Sequence, residues 1–242
     1  MAGIAVARHM GQRDLLICHM VECACEFGAI DRLAKMLPTL PKDLVETLPA
    51  KLDALPPTAG LAKTIDGERA FGLKTFTQQM NAVPPAPAQN NAPPDPTPRG
   101  QAEAAAKRAE EAKQEADGKA VMVTQVNDSA PFYEAVKKAA TQSPDDFDKA
   151  VKSAAAAMPL NMIVQTLAPS LARQRMNSAK LEAMQAMLRT AVAITLRGDS
   201  EVATHKDPFG GKPFAYETLP GGFRLTSELK DQGKAVTLRV GQ

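Results

Sequence analysis

HKDPFGGKPFAYETLPGGFRLTS, residues 205–227, places two turn signals and two short alternating apolar runs near the end of a chain whose remaining periodicity is helical. Phe214 and Tyr216, then Phe223 and Leu225, then Val236, Leu238 and Val240 occupy alternate positions. That is the period at which strand side chains return to one face. Pro220, Gly221 and Gly222 supply a tight turn between the first two strands. Three strands this short do not hold together alone in water. The segment before them, Ser170 to Arg197, repeats with the helical period: Leu181, Met184, Leu188, Ala191 and Thr195 form a stripe flanked by Met187 and Ile194. Gly198 ends it, since glycine enters positive φ cheaply. The expected fold is mostly α with a small α+β C-terminal module, in which the long helix covers a three-stranded antiparallel meander.

Working outward toward the N-terminus, the spacing from Gln12 to Leu37 predicts a helix with Leu16, Met20, Cys23, Phe27, Ile30, Ala34 and Leu37 on one stripe. Pro38 and Pro41 close it. A second helix begins near Pro41 and turns Leu44, Leu48, Leu52 and Leu55 onto the first, with Pro49 bending or shortening it, to give a helical hairpin. GLAKTIDGERAFGLKTFTQQM predicts a third, short segment interrupted at Gly67 or Gly72. Residues 81–100 hold seven prolines and no hydrophobic period, which reads as an extended linker. QAEAAAKRAEEAKQEAD follows as a solvated charged helix. AVMVTQV at 120–126 fits either a strand or a continuation of that helix. Ser143-Pro144-Asp145-Asp146 carries a cap, a first-turn proline and dipole-matched acids, so a helix runs from there to about Ala157. The expected organisation is an N-terminal helical region at 1–80, the linker at 81–100, the charged helix at 101–118 and the helical and α+β region at 119–242.

Composition narrows the function classes. Lys and Arg number 29 against 27 Asp and Glu, so no charge bias points to nucleic acid. Aromatics make up 4% and tryptophan is absent, which leaves little for stacking bases or sugars. No apolar run is long enough to span a bilayer, and MAGIAVARHMGQRDLL lacks the parts of a secretory signal. Cys18, Cys23 and Cys25 form an odd, local set rather than a disulfide framework.

CHMVECAC offers the one metal-like spacing. His19 and Cys23 lie one helical turn apart and make a two-ligand half-site for zinc that needs further donors from elsewhere. The plainer reading buries Cys23 on the apolar stripe as a small hydrophobe. His205 and Asp207, between Lys206 and Lys212, read as turn chemistry: Asp before Pro accepts backbone N–H bonds, Gly210-Gly211 permits unusual angles, and Pro213 sets the strand entry. Glu217 and Arg224 are expected to pair across the hairpin, and Glu68 with Arg69 at a helix boundary. Gly210-Gly211-Lys212 lacks the spacing of a phosphate loop. No catalytic constellation stands out, and a hydrolase would require at least two of His19, His205, Glu68 and Asp207 to meet in one pocket.

The pattern Asp207-Pro208-Phe209, Gly211-Lys212-Pro213-Phe214, Tyr216, Gly222-Phe223 and Ser227 resembles the signature that closes the major pseudopilins of type II secretion. The chain more broadly resembles the C-terminal half of uncharacterised, membrane-anchored proteins of planctomycetes and verrucomicrobia, through ARHMGQRDLLICHMVECACEFGAIDRLAKML, the Glu68–Gly72 stretch and the tail. The resemblance implies an upstream membrane anchor and a periplasmic or other extracytoplasmic setting; without an anchor the chain would be cytoplasmic. It implies no known reaction. Pseudopilin tails bind calcium after the matching serine, where this chain offers Glu228 and Asp231 with Lys230 opposing a cation. The expectation is a non-enzymatic structural or interaction protein of the cell envelope, acting through a protein partner or self-association, with no cofactor. The alternatives are a zinc- or ligand-binding module built on the Cys/His helix and a hydrolase with an unrecognised site.

Overall fold

The computed structural model describes residues 1–81 and 97–241; most of the proline-rich linker lies outside the described residues. The spine is α8 (Met162–Arg197), 36 residues and about 54 Å long at 1.5 Å per residue. Its N-cap is Asn161, whose Oδ1 accepts from the Val164 amide at 3.1 Å. Because of that cap the helix starts eight residues before the expected Ser170 and carries Pro169 within it. Gly198 stops it at φ +95°.

Two cores share this spine. The C-terminal half of α8, with Leu181, Met187, Leu188, Ala191 and Ile194 buried, meets α2 (Leu16–Met36), α3 (Lys42–Asp53) and the sheet. The N-terminal half, with Val164 and Leu171, meets α4 (Leu61–Asn81), α6 (Ala130–Ala139) and α7 (Pro144–Ala156) around Phe132, Phe147 and Val151. The N-terminal helical region and the C-terminal region therefore contribute to the same cores. Ser143 caps α7 by accepting from the Asp146 amide, and Pro144 occupies its first position.

The sheet has the order β1-β2-β3, all antiparallel, from β1 (Ala215–Leu219), β2 (Gly222–Asp231) and β3 (Lys234–Gly241). Phe214, Phe223, Leu225, Val236, Leu238 and Val240 are buried against α8 and α2, while Tyr216 is half-buried. Glu217 faces Arg224 in the register, and the two pair at 3.1 Å. The switch of side-chain rhythm after Arg197 thus gives the expected helix-covered meander.

Several expected details differ, each for a local reason. A helix absent from the sequence reading, α1 (Ala2–Gly11), packs along α2. In α2 itself Met20 is exposed, and His19, Glu22 and Glu26 are buried in its place. In α3 the buried residues are Val45, Leu48 and Leu52, with Leu44 exposed, and Pro49 stays inside an unbroken helix. The glycines do not interrupt α4, which runs unbroken past both. Gly67 serves instead for close approach, since a Cβ there would lie 1.5 Å from the Asp14 carbonyl oxygen. AVMVTQV continues α5 (Pro98–Asp128), so the helix begins inside the span read as linker. Glu68 and Arg69 do not pair with each other: Glu68 accepts from the Leu16 amide, and Arg69 bonds Glu134 at 2.9 Å.

Leu225, fully buried between strand and spine, and the exposed Glu217–Arg224 pair differ in weight. Leu225→Ala is expected to cost about 2–5 kcal/mol in denaturant unfolding, and Glu217→Ala less than about 1 kcal/mol. A reversed order would mean that the helix does not cover this face.

Candidate functional site

A seam of buried polar groups runs along α2. Glu22 and Glu26, one turn apart, are both 0% exposed, and His19 is 2% exposed. A buried carboxylate is tolerated only when paired and hydrogen-bonded, and each one here is. Glu26 accepts from Arg8 Nε of α1 through one oxygen and from Gln185 Nε2 of α8, at 2.7 Å, through the other. Arg8 also donates to the Pro56 carbonyl at 2.7 Å. Glu22 accepts from the Ala59 amide at 3.2 Å and lies 2.9 Å from His19 Nδ1. On its other side, His19 Nε2 lies 2.9 Å from Ser178 Oγ of α8. Ser178, His19 and Glu22 thus form a hydroxyl–imidazole–carboxylate chain.

The proton positions follow from the acceptors. An ionised Glu22 oxygen can only accept, so His19 Nδ1 carries the hydrogen and, in the neutral ring, Nε2 is left as an acceptor. Ser178 Oγ also lies 3.1 Å from the Gln174 carbonyl one turn back, the ordinary partner of a helical serine. With Nε2 bare, His19 and the Gln174 carbonyl are two acceptors within reach of the single hydroxyl proton. The hydroxyl borders a cavity of about 290 Å3, also lined by His19, Gly60, Leu61, Arg175 and Gln185. Gly60 and Leu61 stand at the start of α4, where the Gly60 carbonyl accepts from the Lys63 and Thr64 amides at 3.0 and 3.1 Å.

Cys23 shares the seam without its chemistry. Its Sγ takes a 3.4 Å contact from Gln174 Nε2. Burial, reinforced by the negative fields of Glu22 and Glu26, pushes its thiol up to about 12. The other zinc candidate, His19, has both ring nitrogens occupied.

In the tail, Asp207 is buried and acts as a clamp. It accepts from Ser227 Oγ at 2.9 Å, from the Phe209 amide at 3.0 Å and from the Glu228 amide at 2.6 Å. Its own carbonyl takes the Gly211 amide and its amide reaches the Lys212 carbonyl, both at 2.8 Å, with Gly211 at φ +69°. The turn reading of this stretch is what the geometry shows. Of the calcium candidates, Asp231 pairs with Arg173 and Lys180, and Glu228 lies over Gly210. Among the described residues no group of three or more His, Cys, Asp or Glu is placed to hold a metal ion. His19, His205, Glu68 and Asp207 do not converge: their partners are Ser178 and Glu22, Glu201, the Leu16 amide and Ser227 respectively.

The sequence reading missed Ser178, Glu22, Glu26, Arg8 and Gln185. Glu22 three residues after His19 on a helix was the one available signal; Ser178 lies 159 positions away. No family model, curated protein or solved structure matches this chain, so what the site does rests on its own geometry.

Two measurements check the seam. Glycine-to-alanine changes in helices usually stabilise by up to about 1 kcal/mol, but a Cβ on Gly11 would sit 2.0 Å from Glu22 Oε2. Gly11→Ala is therefore expected to destabilise by about 1–3 kcal/mol in denaturant titration. With Cys23 raised to about 12 and Cys25 exposed, the Cys23 thiolate fraction at pH 8 is roughly one in ten thousand. A disulfide reagent at pH 8, followed by peptide mass spectrometry, is expected to modify Cys25 in the folded chain and Cys23 only after unfolding. Equal rates for the two would contradict the buried seam.

Proposed function

We propose that the chain is a structural or interaction protein of the cell envelope, and that it works through a protein partner or a second copy. The observation that carries this reading is α5. Residues 101–118 are exposed on every side, and the helix is laced by the i,i+4 pairs Arg99–Glu103, Lys107–Glu111 and Glu115–Lys119. It runs for about 27 Å without burying anything in the described chain. At its root, Val121 and Leu160 line one depression of about 600 Å3, and Met122 and Met162 line another of about 340 Å3. Leu160 is 88% and Met162 70% exposed. Clustered exposed apolar side chains beside a charged arm suit a protein contact. This role needs no turnover.

The envelope setting rests on the resemblance to membrane-anchored proteins of planctomycetes and verrucomicrobia, whose anchor lies upstream. Among the described residues no helix is long and apolar enough to cross a membrane. A zinc- or calcium-binding role is the weaker reading, because zinc would have to displace Glu22, Ser178 and Gln174 from His19 and Cys23, and calcium would have to displace Arg173 and Lys180 from Asp231.

Photo-crosslinking groups at Ala104 and Glu111 in the native host are expected to trap a protein partner or a second copy in the envelope fraction. Leu160→Asp with Met162→Asp is expected to abolish the crosslink while leaving unfolding within about 0.5 kcal/mol of the parent. A chain recovered uncrosslinked from the soluble fraction would overturn the proposal.

A further inference from the structure

We propose, as an activity separate from the interaction role, that Ser178 is a nucleophile activated by His19 and that it accepts a small acyl group from an activated ester bound in the adjoining cavity. Three observations support it. Ser178 Oγ, His19 Nε2, His19 Nδ1 and Glu22 Oε2 are joined in that order by two contacts of 2.9 Å. This is the arrangement by which a hydroxyl gives its proton to an imidazole held in one tautomer by a carboxylate. The three groups differ in access in the way such a relay requires. Glu22 is fully buried, His19 is 2% exposed on the cavity wall, and Ser178 is half-buried and borders the same cavity. Finally, Gly60 and Leu61 bring the start of α4 to the same cavity, where the positive end of the helix dipole favours a developing oxyanion.

The step balances without any further reagent than water. The Ser178 Oγ–acyl carbon bond forms as the hydroxyl proton moves to His19 Nε2. The bond from acyl carbon to leaving alkoxide then breaks, and the alkoxide takes that proton. Water, losing its proton to the same nitrogen, hydrolyses the acyl-serine and restores the hydroxyl. Glu22 touches no substrate: it positions the ring and stabilises the imidazolium while it lasts. A cavity of about 290 Å3 suits an acyl group of a few carbons. Arg175 on the same wall is already bonded to the Gln142 carbonyl and to Glu182, so recognition of a charged acyl group is not part of the proposal.

The test uses the whole chain and a small-alkyl fluorophosphonate, which forms a serine oxygen–phosphorus bond and releases fluoride. Stoichiometric modification, mapped to Ser178 by peptide mass spectrometry, is expected in the folded protein and not in the denaturant-unfolded protein. Ser178→Ala is expected to show none. Glu22→Gln keeps the shape and the acceptor for Ala59, but its amide faces Nδ1 and favours a hydrogen on Nε2, which removes the base. Labelling is then expected to fall about 100-fold or more while far-ultraviolet circular dichroism stays unchanged. If Glu22→Gln does not fold, the folded-against-unfolded comparison on the parent chain decides. An unmodified Ser178 in the folded parent overturns the proposal, as does equal labelling of folded and unfolded chains, or parent-like labelling in folded Glu22→Gln.

Discussion

Two carboxylates on one helix, both shut off from water, constrain most of the N-terminal half of this molecule. An unpaired buried charge costs several kcal/mol, so Glu22 and Glu26 fix where donors must be. The donors come from different segments: Arg8 from α1, the Ala59 amide from the connection before α4, Gln185 from α8, and His19 from α2 itself. Apolar stripes would let these elements slide along one another at small cost, but directional bonds do not. Gly11 belongs to the same constraint, since any side chain there would occupy the space of the Glu22 carboxylate.

The tail solves a different problem with similar means. A meander this small has little core of its own, and it borrows one from α8 and α2 through Leu225, Leu238 and Val240. Packing alone does not fix its entry. Asp207 does, by joining the turn before β1 to the middle of β2 through Ser227 and the Glu228 amide. The β2–β3 register shifts between Thr226 and Lys230, and within that stretch the amides of Glu228 and Leu229 are taken by Asp207 and by Ser227 Oγ. An irregular ladder therefore leaves these two donors satisfied, as buried amides require.

The elements legible in the sequence are those set by local rhythm. The period-2 runs, the apolar stripe of the long helix, the Ser143 cap and the solvated charged helix depend on neighbours within a few residues, and they stand, except that Thr195 at the end of the stripe is exposed and Met184 half-buried. Reading failed where a distant group decides. Gly67 looks like a break until the Asp14 carbonyl lies against it. His19 looks like a zinc ligand alongside Cys23 until Ser178 arrives from α8. Hydropathy also ranks Glu22 and Glu26 as surface residues, because it scores a side chain against water and not against a waiting arginine or glutamine. The turn at Asp207 was readable because its first partner is two residues away; its tie to Ser227, 20 residues on, was not.

The two halves of the α2 seam separate structural need from chemical capacity. Glu26 and Glu22 share a helix, a face and complete burial, so the same penalty must be met at both. At Glu26 it is met by a guanidinium and a carboxamide, groups that hold their protons at any working pH. Arginine and glutamine are donors of the same kind that position 19 does not use. The residue there is instead the one side chain whose two ring nitrogens can take up and return a proton near neutrality, and its second nitrogen meets a hydroxyl that already had a partner in the Gln174 carbonyl. The contact satisfies the buried second nitrogen of His19, and because the Ser178 hydroxyl has two acceptors within reach, it also gives the proposed relay its route from a buried carboxylate to the wall of a cavity.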